Sequence, residues 1–395
     1  MNEAKEFDIV VYGATGFTGQ IVVEYLAQRA AEMHKAGQPL RWAMAGRDAD
    51  KLAAARDATG APADTPLLTA DADNPDSLKA MVSKTRLILT TVGPYQLYGS
   101  ELVRLCAEMG CDYVDLCGEP AWMRDMIDQH TQAACDSGAR IVFSCGFDSI
   151  PFDLGVYYLQ QQAKQRSQAV MSRVKGRIKS LKGRFSGGTA ASLKSSLAAA
   201  KDPRVRDLLA DKFTLTPGFT GAPQPPANEP QYEEALGSWA APFIMAAINT
   251  RNIQRSNLLL DHAYGQDFIY DEMILTGPGD DGEALAQKLT KDRSMMGKDG
   301  PKPGEGPSRE EREAGSYEVL FIGSNHQDQQ LMVSVSGDMD PGYGSTSKMI
   351  VESALCLLDE AAELAGGIWT PAPALGAALI DRLQKHAGIR FQTLG

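Results

Sequence analysis

The chain has 395 residues, room for two domains, with 43% hydrophobic residues, 23% charged residues and a net charge of −11. The acidic balance argues against nucleic acid as a partner, and no apolar run nears the roughly 18 residues of a membrane-spanning helix. Six cysteines without a CxxC pair, five scattered histidines and a polar start predict reduced thiols, no metal and a cytoplasmic protein.

Strands and helices alternate over the first 150 residues. Strands are predicted at 9–12, 41–45, 66–69, 87–92, 113–116 and 141–144, with helices at 18–36, 49–59, 75–84, 99–109 and 120–137 between them. The pattern predicts an α/β fold, a Rossmann-type doubly wound parallel sheet over 1–153. A second α+β domain on a mainly antiparallel sheet is expected over 154–341. Its strands are predicted at 171–185, 268–276 and within 317–336, with a helix at 189–200. Residues 214–230, with five prolines, read as an irregular loop. The stretch 277–315, rich in glycine, proline and charge, reads as another loop, mobile at 297–307. Helices at 348–364 and 374–385, within 342–395, are expected to pack back on the first domain. A homodimer through the second sheet is expected on fold grounds alone.

The first strand runs into Gly13-Ala14-Thr15-Gly16-Phe17-Thr18-Gly19 and then a helix. Three glycines at this spacing between strand and helix make a pyrophosphate cradle: a tight turn, close backbone approach and close helix packing. Gly46-Arg47 follows the second strand, where an NAD enzyme places an acid on the ribose. An arginine there suits the 2′-phosphate of NADP, with Asp48 left as an alternative ribose contact. Asp71 is placed either at the adenine edge or in a plain loop. Val92-Gly93-Pro94-Tyr95 and Cys117-Gly118-Glu119 end the fourth and fifth strands, beside the path of the cofactor. Tyr95 is a candidate proton donor or a packing group. Glu119 is a polar contact or a first-turn helix acid. Asp148 and Ser149 lie at the domain crossover, as catalytic candidates or as N-caps of the next helix.

From Leu154 to Lys201 there are ten basic residues and no acidic one. Arg173, Lys175, Arg177 and Lys179 alternate onto one face of a strand. A solvated face is the favoured reading. Docking of an acidic carrier or an anionic membrane surface by the 173–184 strand is the alternative, with peripheral membrane contact as its consequence. The apolar run 239–248, with Phe219 and Trp369, is a candidate pocket lining. Arg251 and Arg255 are read as solvated.

Taken in order, the segments Gly13–Gly19, Ala45–Arg47, Val92–Tyr95, Tyr113–Glu119, Cys145–Pro151, Gly187–Thr189, Gly342–Met349 and Gly367–Ala372 carry a resemblance. The chain resembles the saccharopine dehydrogenase-like oxidoreductases, in the branch that includes trans-acting enoyl reductases of bacterial lipid synthesis. The resemblance implies NADPH-dependent reduction of an unsaturated, lipid-type acyl substrate. A saccharopine-type imine or amino-acid reductase and a non-catalytic NADP-binding sensor or scaffold stand as alternatives.

Overall fold

Phe7–Tyr12 is buried at every position, as a parallel strand covered on both faces must be. The computed structural model describes residues 5–167, 169–183, 187–292 and 306–394. The first half runs β1 (Phe7–Tyr12), α1 (Phe17–Lys35), β2 (Trp42–Gly46), α2 (Ala49–Thr59), β3 (Leu67–Thr69), α3 (Pro75–Lys84), β4 (Thr85–Thr90), α4 (Tyr95–Tyr98), α5 (Ser100–Met109), β5 (Asp112–Val114), α6 (Pro120–Ser137) and β6 (Arg140–Val142). Next come α7 (Ile150–Ser167), β7 (Arg173–Lys182), α8 (Gly187–Ala199), α9 (Pro203–Ala210), β8 (Gln231–Glu233), β9 (Ser238–Pro242), α10 (Ala246–Leu259) and β10 (Ile269–Gly277). The chain finishes with α11 (Gly279–Lys291), α12 (Arg309–Glu313), β11 (Ser316–Ser324), β12 (Gln330–Gly337), α13 (Thr346–Asp359), β13 (Gly367–Trp369), α14 (Pro371–His386) and β14 (Ile389–Leu394).

The first sheet has the order β13-β6-β5-β4-β1-β2-β3 and is parallel throughout. Strand order reverses between β1 and β4. A crevice therefore opens at their carboxyl ends, where open α/β sheets bind ligands. All six N-terminal strands match the sequence reading. The seventh, β13, comes from the far end of the chain and is too short to announce itself. The C-terminal return is held by Glu352 of α13, which is fully buried. Its carboxylate accepts from Tyr25 (2.8 Å), Arg29 (2.8 Å) and Arg382 (3.0 Å), tying α1 to α13 and α14.

The second sheet has the order β14-β12-β11-β7-β10-β9-β8, antiparallel except where β7 pairs with β10. Its central strand β7 is the basic one; Lys179 and Lys182 are exposed, as a solvated face requires, whereas Arg177 is buried and the row is paired with acids. Lys175 meets Glu233 at 2.8 Å, Arg177 meets Asp271 at 2.8 Å and Glu233 at 3.0 Å, and Lys179 meets Glu318 at 3.0 Å. Arg173 also pairs with Asp271, and Arg177 is only 1% exposed. The acids on β8, β10 and β11 were invisible in the strand's own composition. These four positions therefore present no row of free cations to a partner. The expected loop at 277–315 also needs correction. Gly279–Lys291 is the helix α11 and Arg309–Glu313 is α12, with a Ser308/Glu311 capping box. The expected mobility at 297–307 falls mostly outside the described residues. No helix among the described residues is long and apolar enough to cross a membrane.

Candidate active site

The glycine turn sits in the crevice. Gly13 has φ +93°, and a Cβ there would meet Thr91 and Val92 side chains at 2.8 Å. A Cβ on Gly19 would lie 2.0 Å from the Gly13 carbonyl oxygen, so only glycine lets α1 pack on the turn. The α1 N-terminus has no side-chain cap and no acid in its first turn, which leaves its N–H groups for an anion. A cavity of about 260 Å³ follows, lined by Gly13, Thr15, Gly16, Gly46, Arg47, Asp71, Val92 and Gly93 among others. Arg47 is exposed there and makes no hydrogen bond or ion pair to a described residue. Asp48 points the other way. It caps α2, accepting from the Lys51 N–H at 3.0 Å, which removes it as a competitor for the ribose. Asp71 holds its own loop by accepting from the Asp73 N–H at 3.1 Å. With burial as the larger cause, Asp71 helps push the Tyr12 hydroxyl up to about 12. These residues fit a phosphorylated dinucleotide.

The cleft floor is built by two buried acids. Asp115 accepts from the N–H groups of Cys117 (3.0 Å) and Ser144 (2.8 Å) and from the Tyr113 hydroxyl (2.9 Å). This fixes the turn that carries Gly118. Glu119 accepts from the Tyr95 and Gln96 N–H groups, each at 2.9 Å. It caps α4, not the helix α6 whose first turn it precedes, and so holds the Gly93-Pro94-Tyr95 turn. Glu119→Gln keeps one acceptor oxygen for two buried N–H groups and is expected to lower unfolding free energy by about 1–3 kcal/mol, the cost of a buried donor left unbonded. Chemical denaturation reads this, and an unchanged midpoint would count against it.

The Tyr95 hydroxyl lies behind this floor. It accepts from the Leu116 N–H at 3.0 Å and donates to the Thr90 carbonyl at 3.4 Å. Burial pushes its ionisation well above the ordinary range. Its ring reaches the cleft, but its proton is directed at backbone.

Beyond Gly93 the crevice opens into a larger cavity of about 440 Å³, lined by Thr18, Gly93, Tyr95, Gly118 and Asp148. Asp148 faces it from the crossover between the sheets, with no hydrogen bond to a described residue. Burial pushes its carboxyl up to about 7. Ser149, at φ +151°, does not cap α7 with its side chain. Its hydroxyl accepts from Asn252 at 2.5 Å and reaches Asn249 at 3.5 Å, and Asn249 in turn donates to Glu272 at 2.7 Å. Burial lifts Glu272 to about 8, with Asp148 adding to the effect. The cleft acid thus stands beside a buried polar network that runs from the crossover turn through α10 to β10 of the second sheet.

The apolar run contributes Phe243, Ile244, Met245 and Ile248 to the chamber. Trp239, Phe219 and Trp369 lie elsewhere: Trp239 against Tyr232, Phe219 against Phe213 and His262, and Trp369 with its indole N–H on the Ala365 carbonyl. Arg251 and Arg255 overturn the solvated reading, being 3% and 4% exposed. Arg251 donates to the carbonyls of Leu209, Asp211 and Ala247, and Arg255 to those of Leu215 and Ile368. They clamp loops to a buried helix. Tyr343 also lines the chamber, unforeseen because the turn that carries it has no periodicity to read.

Residues 9–142 match the saccharopine dehydrogenase NADP binding domain, and NADP is the cofactor of this Rossmann fold. A relative from Mycobacterium tuberculosis, provisionally named a trans-acting enoyl reductase, is 41% identical over 98% of both chains. A trans-acting enoyl reductase from Mycobacterium bovis is 36% identical over 96% of both. Among solved structures, saccharopine dehydrogenase (L-Glu forming) from Saccharomyces cerevisiae superimposes with a TM-score of 0.57 at 11% identity, covering 98% of this chain and all of that one. That likeness concerns the fold. The chain belongs to the saccharopine dehydrogenase-like oxidoreductases, with the mycobacterial trans-acting enoyl reductases among its relatives.

Proposed function

We propose that the protein is an NADPH-dependent reductase of an α,β-unsaturated acyl group on a lipid-type substrate. The carrying observation is the chamber beside the cofactor crevice. Its wall includes Leu116, Leu181, Leu197, Phe243, Met245 and Ile248, and among the described residues the charged ones on it are Asp148 and Arg251. Arg251 spends its guanidinium on three backbone carbonyls. A substrate bearing several carboxylates would need free cations there, whereas an acyl chain needs apolar wall. The relatives' names agree with this reading.

When bound, NADPH supplies the hydride. Gly13–Gly19 and Arg47 hold the dinucleotide, and the Gly93 and Gly118 turns leave room for its nicotinamide end. The chamber wall excludes water. Asp148, protonated near neutral pH, delivers the proton to the carbon next to the one reduced. Ser149, Asn249 and Glu272 keep its turn in place.

A panel of substrates tests the reading. Oxidation of NADPH is expected with medium- and long-chain 2-enoyl thioesters and not with α-keto acids plus amines. The reverse pattern would favour a saccharopine-type imine reductase.

A further inference from the structure

One wall of the chamber that adjoins the cofactor crevice comes from the C-terminal part of the chain. Pro341–Ser345 form a single π-type turn, in which Asp340 accepts from the N–H groups of Tyr343 (2.9 Å) and Gly344 (2.8 Å). Thr346 pins this turn to the first domain. Its hydroxyl accepts from the Phe147 N–H at 3.0 Å and donates to the Pro341 carbonyl at 2.8 Å. The Tyr343 ring stands edge-on to Phe17, the first residue of α1, with centroids 4.9 Å apart.

Tyr343 is 2% exposed, yet its hydroxyl has no hydrogen-bond partner among the described residues. Leaving a buried hydroxyl unbonded is costly, and a rigid turn held at two points places it there. It lines the cavity together with Thr18, beside the uncapped N-terminus of α1. The free helix N–H groups and the unbonded donor therefore border one cavity, in which a single anion would serve both. The cavity holding Arg47 shares Thr91 and Gly93 with this one, and Tyr343 lies on the side away from Arg47.

We propose that Tyr343 is a cofactor-binding residue, its hydroxyl donating to the nicotinamide-side phosphate of NADP from the turn packed against the start of α1. The proposal rests on Gly13–Gly19 being the NADP cradle. It makes the C-terminal turn part of the dinucleotide site and couples the two ends of the chain through the cofactor.

Calorimetric titration of wild type and Tyr343→Phe with NADPH and with 2′,5′-ADP, which carries only the adenosine end, provides the test. NADPH should bind the variant about tenfold more weakly, the worth of a bond to a charged group, while 2′,5′-ADP binds both proteins alike. The ligand-free variant should melt no lower than wild type, because the substitution removes an unbonded hydroxyl. Unchanged NADPH affinity in the variant would overturn the role of Tyr343 and leave the cradle standing. Equal weakening of both ligands with a lowered melting point would assign Tyr343 a structural role instead. Failure of wild type to bind either ligand would remove the cradle and the proposal together.

Discussion

Asp148→Asn is expected to lower kcat by about 10²- to 10⁴-fold, the usual contribution of a positioned general acid. NADPH affinity should stay within a small factor of wild type, since Asp148 lies beyond the crevice that holds the dinucleotide. The pH profile gives the sign. Burial raises the carboxyl to about 7, so the donor is present below that pH and lost above it. kcat/KM should be flat on the acid side and fall about tenfold per unit above neutrality. Stability also falls with rising pH, but in a lower window. The folded state holds this proton longer than the unfolded chain, so wild type loses stability as pH rises from the ordinary carboxylate range towards 7, and asparagine escapes that loss. A variant that melts no lower than wild type at pH 8 yet is inactive therefore reports chemistry and not unfolding. An Asp148→Asn enzyme with wild-type turnover and profile would return attention to Tyr95.

Arg47→Ala should weaken NADPH binding roughly 10- to 150-fold, from about 1.5–3 kcal/mol for a charge-assisted bond. NADH binding should be unchanged, because nothing else at that strand end reads the 2′ position. Asp48 caps α2 through one carboxylate oxygen and does not line the crevice. Titration with both dinucleotides decides. If wild type binds NADH as tightly as NADPH, Arg47 has no role in selecting the cofactor.

The arginines illustrate why composition misleads. Arg47, Arg177, Arg251 and Arg255 look alike in the sequence, where each could be solvated. Arg177 sits in a central strand between Glu233 and Asp271, and Arg251 and Arg255 lie on a helix buried between the sheets. Buried guanidinium groups need partners, and most of the N–H groups of these three meet acids or carbonyls distant in sequence, while Arg255 Nε has no partner among the described residues. Arg47 alone of the four is exposed and without a hydrogen bond or ion pair to a described residue. That makes it available to a ligand.

The sequence by itself determined the Rossmann domain's six N-terminal strands and the glycine cradle. Those features are local: a buried parallel strand is a continuous apolar run, and a phosphate turn needs glycines at fixed spacing. The tertiary structure decided the rest. It turned Glu119 from a helix acid into the clamp of the Gly93-Pro94-Tyr95 turn, paired off the basic strand, directed the Tyr95 proton at backbone, and brought Tyr343 from beyond residue 340 to the first turn of α1. Glu119 and the basic strand depend on which residue distant in the chain satisfies a buried polar group, and Tyr95 and Tyr343 on how the turns that carry them pack, information that resides in the tertiary structure and not in any stretch of sequence.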